Sequence, residues 1–186
     1  MKVLVIGGSK SGKSDFSQEI ALSLAQGKKH YYVATMIPGD QEDHNRILSH
    51  LKRREGMEFE TIEQGLHLLE CLEYADSNAV FLIDSVTTLL TNEFFPKEKN
   101  YEPDHKAAIR CGKDLLQFAN SVAHTVVVSD AIFSDAVRYD TSTDSYRQHL
   151  GRIHCQLAKD FDTVLEMTNG NLIVHKGVCP IGGILQ

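Results

Sequence analysis

The sequence is poor in cysteine, and its cysteines form no recognised metal-binding pattern. The four are Cys71, Cys111, Cys155 and Cys179, with no C-x-x-C pair and no zinc spacing. We therefore predict free thiols, as in a reducing cytosol. Long apolar runs are also missing, since no stretch approaches the roughly 18 residues that span a membrane. The apolar start runs straight into glycine, so we expect no signal peptide and a cytoplasmic protein.

Basic residues are fewer than acidic residues in this sequence. The chain has 19 Lys and Arg against 25 Asp and Glu, which gives a formal net charge of −6. Proteins whose main partner is nucleic acid usually carry a basic face, so this class is disfavoured. There is no internal repeat and no low-complexity tract. The length of 186 residues and the hydrophobic fraction of 42% fit one compact domain over residues 1–186.

A glycine-rich loop opens the chain. After the apolar run 3–6, Gly7, Gly12, Lys13 and Ser14 complete the pattern G-x-x-x-x-G-K-[ST]. This is the phosphate-binding loop signature, placed between a predicted strand and a predicted helix. Glycines let backbone N–H groups approach a polyphosphate, and the helix N-terminus favours the same anion. Lys13 supplies a cation for the β and γ phosphates, and Ser14 supplies a hydroxyl for Mg²⁺.

Strands and helices alternate along the rest of the chain. We predict strands at 30–34, 57–62, 79–83 and 124–128, and helices at 15–26, 40–54, 64–74, 86–95, 104–121 and 144–160. Asn169-Gly170 predicts a hairpin between strands 163–167 and 172–174. The pattern favours an α/β domain with a mostly parallel sheet and a C-terminal antiparallel hairpin.

Ligands of such sheets bind beyond the carboxyl ends of the strands. We therefore expect the loop, Thr35, Asp84 and Asp130 along one edge of the sheet. Asp84 ends an apolar strand, where an acid often holds Mg²⁺ together with the loop hydroxyl. Ser14 and Asp84 are thus the predicted metal-binding residues. The alternative for Asp84 is a solvated carboxylate at the end of a strand.

One histidine stands in a strongly basic stretch. Arg46, Lys52, Arg53 and Arg54 surround His50. Positive charge favours the neutral, nucleophilic form of an imidazole and attracts a triphosphate. Taken alone, the residues favour the alternative that this stretch is the solvated face of a helix lying over a cleft.

Five blocks of the sequence share the pattern of one enzyme family. They are Val5–Ser14, Tyr32–Thr35, Arg46–Arg54 with Thr61–Glu63, Asp84–Asn92, and Arg147–Lys176. Together they resemble the bifunctional adenosylcobinamide kinase/adenosylcobinamide-phosphate guanylyltransferase family of cobalamin biosynthesis. The first block is generic to phosphate-loop proteins, whereas the third and fourth together are far more specific.

The resemblance implies a three-layer, P-loop NTPase-like α/β fold and two reactions. His50 would attack the α-phosphorus of GTP and carry GMP to adenosylcobinamide phosphate, which is covalent catalysis. Lys13, Mg²⁺ and the loop amides would stabilise transfer of the γ-phosphoryl group of ATP or GTP to the cobinamide hydroxyl. The implied partners are the corrinoid substrate and further copies of the chain, possibly a trimer.

The motif and the resemblance together define the predicted site. His50 and Lys13 are the predicted catalytic residues. The predicted nucleotide-binding residues are Gly7, Gly8, Ser9, Lys10, Ser11, Gly12, Lys13, Ser14, Thr35, Arg53, Arg54, Glu63 and Asp84. The two arginines are suited to bidentate phosphate binding.

The sequence departs from the family pattern in its second half. Ser129–Phe133 replaces the family's Ser-Asn-Glu-Val-Gly, Ser134–Val137 replaces Gly-Ile-Val-Pro, and His154-Cys155 replaces an Asn-Gln pair. The expected location is one wall of the cleft, where Asp130 or Asp135 could take an acidic role. These departures leave the loop, His50 and Asp84 intact.

Three other functions stay open at this point. One is a small-molecule kinase in which His50 is idle, and another is a divergent paralogue that lacks one of the two activities. The third is a GTP-binding switch, which is disfavoured because Asp84 is followed by Ser-Val-Thr instead of x-x-Gly and no Asn-Lys-x-Asp occurs.

Overall fold

A seven-stranded sheet forms the centre of the protein. The computed structural model describes residues 1–74, 76 and 78–182. The strand order is β3-β2-β4-β5-β1-β6-β7, and all neighbours are parallel except the β6–β7 pair. The strands are β1 (Lys2–Gly7), β2 (His30–Ala34), β3 (Glu60–Glu63), β4 (Val80–Asp84), β5 (His124–Asp130), β6 (Thr163–Thr168) and β7 (Asn171–Lys176).

Helices cover both faces of the sheet. Alternate side chains of the central strand β4 enter opposite apolar layers, with Phe81 and Ile83 on one face and Val80 and Leu82 on the other. The first face is covered by α3, α4 and α5, and the second by α1. The predicted three-layer α/β fold is thus confirmed. The α-helices are α1 (Lys13–Ala25), α2 (Gln41–Arg53), α3 (Val86–Phe94), α4 (His105–Ser121) and α5 (Thr141–Asp160).

The predicted C-terminal hairpin and the predicted free thiols are also found. Asn169 and Gly170 both have positive φ and close the antiparallel β6–β7 hairpin, as predicted. All four cysteines are free thiols. Within the described residues, every helix is too short or too polar to cross a membrane.

Two predicted elements differ from the structure. The strand expected at 57–62 is β3, which begins three residues later, at Glu60, and ends at Glu63. The helix expected at 64–74 is only a 3₁₀ segment, Leu68–Tyr74. His67 has φ of +51°, in the left-handed region, which interrupts a right-handed helix. Gly65 lies so close to Ile37 that a Cβ at this position would overlap the Ile37 side chain. Its carbonyl accepts a hydrogen bond from Asn92 Nδ2 at 2.8 Å, so a tertiary contact replaces the helical one.

The N-terminus of α5 also differs from the prediction. The helix begins at Thr141, three residues before the expected start at Asp144. Asp140 is the cap, since its Oδ1 accepts the backbone N–H groups of Ser142 at 2.9 Å and Thr143 at 3.0 Å. Side-chain caps of this kind satisfy amides that have no partner within the helix.

Candidate active site

The carboxyl ends of four parallel strands bring the predicted residues together. Gly7 at the end of β1 pairs in register with Asp130 at the end of β5. Asp84 at the end of β4 pairs with Ala34 of β2. A cleft of about 610 Å³ lies beyond this edge of the sheet. The predicted arrangement of the loop and the two acids is therefore confirmed.

The loop that follows β1 is tightly built. Gly12 has φ of +87°, in the left-handed region, and caps the start of α1. A Cβ on Gly7 would lie 2.6 Å from both the carbonyl oxygen of Met167 and the hydroxyl of Ser11. Glycine at position 7 is thus required by close packing against β6. The positive end of α1 faces the cleft, which suits a polyphosphate.

The ammonium group of Lys13 has two oxygen partners at the cleft. It lies 2.7 Å from Oδ1 of Asp130 and donates to the carbonyl of Gly8 at 3.1 Å. Only 11% of the Lys13 side chain is exposed. A bound phosphate can replace the Asp130 carboxylate as counterion, because both are oxygen anions. The N–H of Asp130 itself donates to Thr87 Oγ1 at 2.9 Å.

Asp84 is held by a neighbouring tyrosine. The hydroxyl of Tyr32 donates to Asp84 Oδ2 at 2.8 Å. Burial, reinforced by the Asp84 charge, raises the pKa of the Tyr32 phenol well above its usual range, so this group stays a donor. Asp84 and Ser14 line the same cleft and offer the hard oxygen ligands that Mg²⁺ prefers.

That donor set fits a Mg²⁺ ion whose other ligands are phosphate oxygens and water. Sites of this kind use one or two carboxylates plus the substrate, rather than an all-protein cage. No group of three or more His, Cys, Asp or Glu side chains able to hold a metal ion occurs within the described residues.

Helix α2 forms the roof of the cleft. Asp40 caps it by accepting the N–H of Asp43, and its side chains Ile47, Ser49 and His50 line the cleft. His50 therefore faces the same space as Lys13. The predicted helix over a cleft is confirmed. Within its basic stretch, Lys52 is exposed and Arg54 is buried and lines the cleft.

Arg54 caps the C-terminal end of α2 and is 7% exposed. Its guanidinium carbon lies 3.5 Å from the centroid of the Tyr32 ring, which is cation–π stacking. Its Nη1 atom is buried and has no hydrogen-bond partner within the described part of the chain. A buried cationic donor without a partner is costly, so this atom is suited to an anion in the cleft.

Several predicted nucleotide-binding residues line the cleft and others do not. Thr35 is fully buried, and its hydroxyl donates to the carbonyl and accepts from the N–H of Ser85, both at 2.8 Å. Glu63 is exposed at the end of β3, outside the cleft. The side chain of Arg53 is outside the described residues. Those that line the cleft are Ser9, Lys10, Ser11, Gly12, Lys13, Ser14, Arg54 and Asp84.

The two main departures from the family pattern contact each other. His154 Nε2 lies 2.6 Å from Ser129 Oγ, and its ring meets Phe133 edge-on with centroids 5.5 Å apart. Ser129 Oγ is also 3.3 Å from Thr87 Oγ1, which accepts the N–H of Asp130. Burial lowers the pKa of His154 to about 4, so the ring is neutral at pH 7. The departures thus form one connected structure behind Asp130.

The irregular segment after β5 is fixed by Arg147 of α5. Arg147 donates to the carbonyl of Ile132 at 3.2 Å and binds Asp135 at 3.0 Å. Asp130 and Ile132 line the cleft, whereas Asp135 does not. Of the two acids considered from the sequence, only Asp130 is therefore placed for a role at the phosphates.

Sequence reasoning missed several residues that line the cleft, among them Tyr32 and Thr88. Tyr32 lies in one of the family-like blocks, but the neighbouring Tyr31 has the same side chain. Strand alternation separates the two, since Tyr31 belongs to the layer beneath α3, α4 and α5 and Tyr32 to the layer beneath α1. The hydrogen bond between Tyr32 and Asp84 shows which of the two tyrosines reaches the site.

Comparison with known families gives a match over almost the whole chain. The family described as cobinamide kinase / cobinamide phosphate guanyltransferase matches residues 3–174. The bifunctional adenosylcobalamin biosynthesis protein CobP of Pseudomonas aeruginosa is 36% identical over 179 residues, which cover 95% of this chain and 98% of that protein. The bifunctional adenosylcobalamin biosynthesis protein CobU of Escherichia coli is 28% identical over 180 residues, covering 91% and 97%.

Solved structures share the fold at low identity. The flagellar accessory protein FlaH of Methanocaldococcus jannaschii aligns over 98% of this chain and 80% of its own, with a TM-score of 0.51 and 12% identity. A protein of Pyrococcus horikoshii aligns over 95% and 86%, with a TM-score of 0.51 and 11% identity. At such identities the likeness supports the P-loop NTPase-like fold alone.

Proposed function

The chain belongs to the cobinamide kinase / cobinamide phosphate guanyltransferase family of transferases, and on that premise we propose that it carries out both reactions on a corrinoid in cobalamin biosynthesis. The observation that carries the proposal is the common cleft. The phosphate loop, Asp84 and His50 all line it, although they come from three separate parts of the chain. One bound triphosphate can thus meet groups suited to its γ and to its α phosphorus.

In the kinase reaction, the side-chain hydroxyl of adenosylcobinamide attacks the γ-phosphorus of ATP or GTP, an O–P bond forms, and the hydroxyl proton is released to solvent. The bond between this phosphorus and the β–γ bridging oxygen breaks, and the nucleoside diphosphate leaves. Lys13 and the loop N–H groups stabilise the charge on the transferred group. Ser14 and Asp84 would hold a Mg²⁺ ion, which neutralises phosphate charge when bound.

In the guanylyl reaction, a ring nitrogen of His50 attacks the α-phosphorus of GTP. A P–N bond forms, the α–β bridging bond breaks, and pyrophosphate leaves. A phosphate oxygen of adenosylcobinamide phosphate then attacks the same phosphorus, and the P–N bond breaks to give adenosylcobinamide-GDP. A histidine nucleophile splits one difficult transfer into two easier steps. Arg54, whose buried Nη1 has no hydrogen-bond partner among the described residues, is the group that we assign to the phosphates beside His50.

Two variants separate the reactions. Wild-type protein, adenosylcobinamide and γ-labelled ATP should give a labelled corrinoid, and further addition of GTP should convert it to the GDP adduct. Lys13→Ala should abolish the first product, since the loop lysine assigned to the γ-phosphate is removed. His50→Ala should still form the first product but not the second.

Two outcomes would contradict the proposal. A wild-type protein that labels no corrinoid, at any nucleotide or Mg²⁺ concentration, would exclude the kinase reaction. If His50→Ala forms the GDP adduct at the wild-type rate, His50 is idle and the guanylyl mechanism is wrong.

Assembly and compartment complete the proposal. The family resemblance supports a homo-oligomer, possibly a trimer, which light scattering of the purified protein would measure. The four free thiols support a cytoplasmic location, because reducing compartments keep cysteines unpaired.

A further inference from the structure

One aromatic side chain contacts both halves of the proposed site. Tyr32 donates to Asp84 through its hydroxyl at 2.8 Å and carries Arg54 on its ring at 3.5 Å. All three residues line the cleft. They come from β2, β4 and the end of α2. Tyr32 therefore lies between Asp84, at the end of β4, and the C-terminal end of the roof helix α2.

The contact with Asp84 leaves one carboxylate oxygen for another partner. Tyr32 donates to Oδ2 and restricts the rotation of the carboxylate, whereas Oδ1 has no hydrogen bond from the described residues. Hydrogen bonds of this type orient metal ligands and tune their affinity. Phe59 packs edge-on against Tyr32 with centroids 6.2 Å apart and helps to fix the ring.

The contact with Arg54 fixes a second group. The backbone N–H of Arg54 bonds to the carbonyl of His50 at 3.3 Å and closes the end of α2. Its guanidinium carbon lies over the Tyr32 ring, and its Nη1 is buried and without a partner among the described residues. The same aromatic ring thus supports the helix end that carries His50 and the cation next to it.

We propose that Tyr32 is a positioning residue that couples the acid of the kinase site to the arginine of the guanylyl site, its hydroxyl setting Asp84 and its ring setting Arg54. The inference rests on the proposed function for the names of the two sites. The two contacts use different parts of one side chain, so substitutions can separate them.

The test measures equilibrium binding of a fluorescent GTP analogue with EDTA and over a Mg²⁺ titration. Tyr32→Phe keeps the ring and removes the hydroxyl, so affinity in EDTA should stay within about twofold of wild type. Mg²⁺ should strengthen binding of the GTP analogue, and the Mg²⁺ concentration that gives half of this increase in affinity should rise about tenfold in Tyr32→Phe. Tenfold is the usual scale for losing a group that orients a metal ligand. Tyr32→Leu also removes the ring, so affinity in EDTA should fall about fivefold as well.

Tyr31→Phe is the matched control, because it removes a hydroxyl from the next residue of β2 on the opposite face of the sheet. It should leave both measurements at wild-type values. Thermal unfolding of each variant checks that the fold is intact. If Tyr32→Leu does not fold, Tyr32→Phe and its control still decide the role of the hydroxyl.

Two results would overturn the inference. One is a Tyr32→Phe protein whose Mg²⁺ dependence stays within twofold of wild type. The other is a Tyr32→Phe protein that binds the nucleotide more weakly by the same factor with and without Mg²⁺, which indicates general damage to the cleft. Neither result depends on corrinoid turnover, so the test fails or succeeds separately from the proposed function.

Discussion

The ammonium group of Lys13 lies 2.7 Å from the carboxylate of Asp130, at the point where β1 and β5 end side by side. In the structure this carboxylate is the counterion of the loop lysine. In the proposed function, a triphosphate bound by the loop takes the place of this carboxylate at Lys13 and meets its negative charge. We therefore expect Asp130 to compete with the nucleotide for Lys13.

Asp130→Asn should tighten nucleotide binding. The amide has nearly the same shape but no charge, and about 0.5–1 kcal/mol is expected for such a partly exposed pair. Affinity for ATP or GTP in EDTA, measured by calorimetry, should rise about two- to fivefold. Asp135→Asn is the matched control, since it changes net charge equally but its partner is Arg147. Weaker binding by Asp130→Asn would contradict the competition.

Thr35 should matter for stability through its hydroxyl. Two bonds of 2.8 Å join it to the backbone of Ser85, next to Asp84. Thr35→Val leaves the buried N–H and C=O of Ser85 without this partner and should reduce the free energy of unfolding by about 2–4 kcal/mol. Thr35→Ser keeps the hydroxyl and should lose much less. Equal losses in chemical denaturation would show that the two bonds are unimportant.

The two adjacent glycines of the loop should differ in their tolerance of a methyl group. A Cβ at Gly7 meets the backbone of Met167 at 2.6 Å, whereas a Cβ at Gly8 meets nothing within 4 Å. Gly7→Ala should therefore lower the melting temperature by several degrees, in the range for about 1–3 kcal/mol of overpacking. Gly8→Ala should melt within a degree or so of wild type. Equal melting temperatures would contradict the packing at Gly7.

His154 should make the protein sensitive to acid. Its folded pKa of about 4 lies below the ordinary value of 6.5, so between these values the unfolded chain binds a proton that the folded chain does not. Stability is thus present above about pH 6.5 and is lost as the pH falls towards 4. Between pH 7 and pH 4.5, the free energy of unfolding should fall by about 2 kcal/mol less in His154→Gln than in the wild-type protein.

Cys155→Ser, at the exposed next position of α5, serves as the control for His154. It should keep the wild-type dependence of stability on pH. If His154→Gln also keeps it, the buried neutral imidazole is not a source of the acid sensitivity.

Features governed by local sequence could be predicted. The apolar run before Gly7, the glycine pattern of the loop and the Asn169-Gly170 turn each determine their own backbone conformation. The alternation of these elements then predicts the parallel sheet and brings Asp84 and Asp130 to one edge. The roof helix α2 was also predicted, at residues 40–54.

Features governed by contacts between distant residues could not be predicted. The helix expected at 64–74 is interrupted at His67, whose φ is positive, and the preceding Gly65 bonds to the distant Asn92 instead. Tyr32 and Asp84 are 52 residues apart, and His154 and Ser129 are 25 apart. Residue types indicate which chemistry is available, but register and packing decide which side chains meet.

The central claim is that His50 becomes guanylylated, and α-labelled GTP tests it most directly. Wild-type protein incubated with this GTP and Mg²⁺, then denatured, should carry a label that is stable to alkali and labile to acid, as a phosphoramidate is. His50→Ala should carry none, while His44→Ala, an exposed histidine of the same helix, should keep it. Wild-type protein without label, or a label that survives in His50→Ala, would contradict the account.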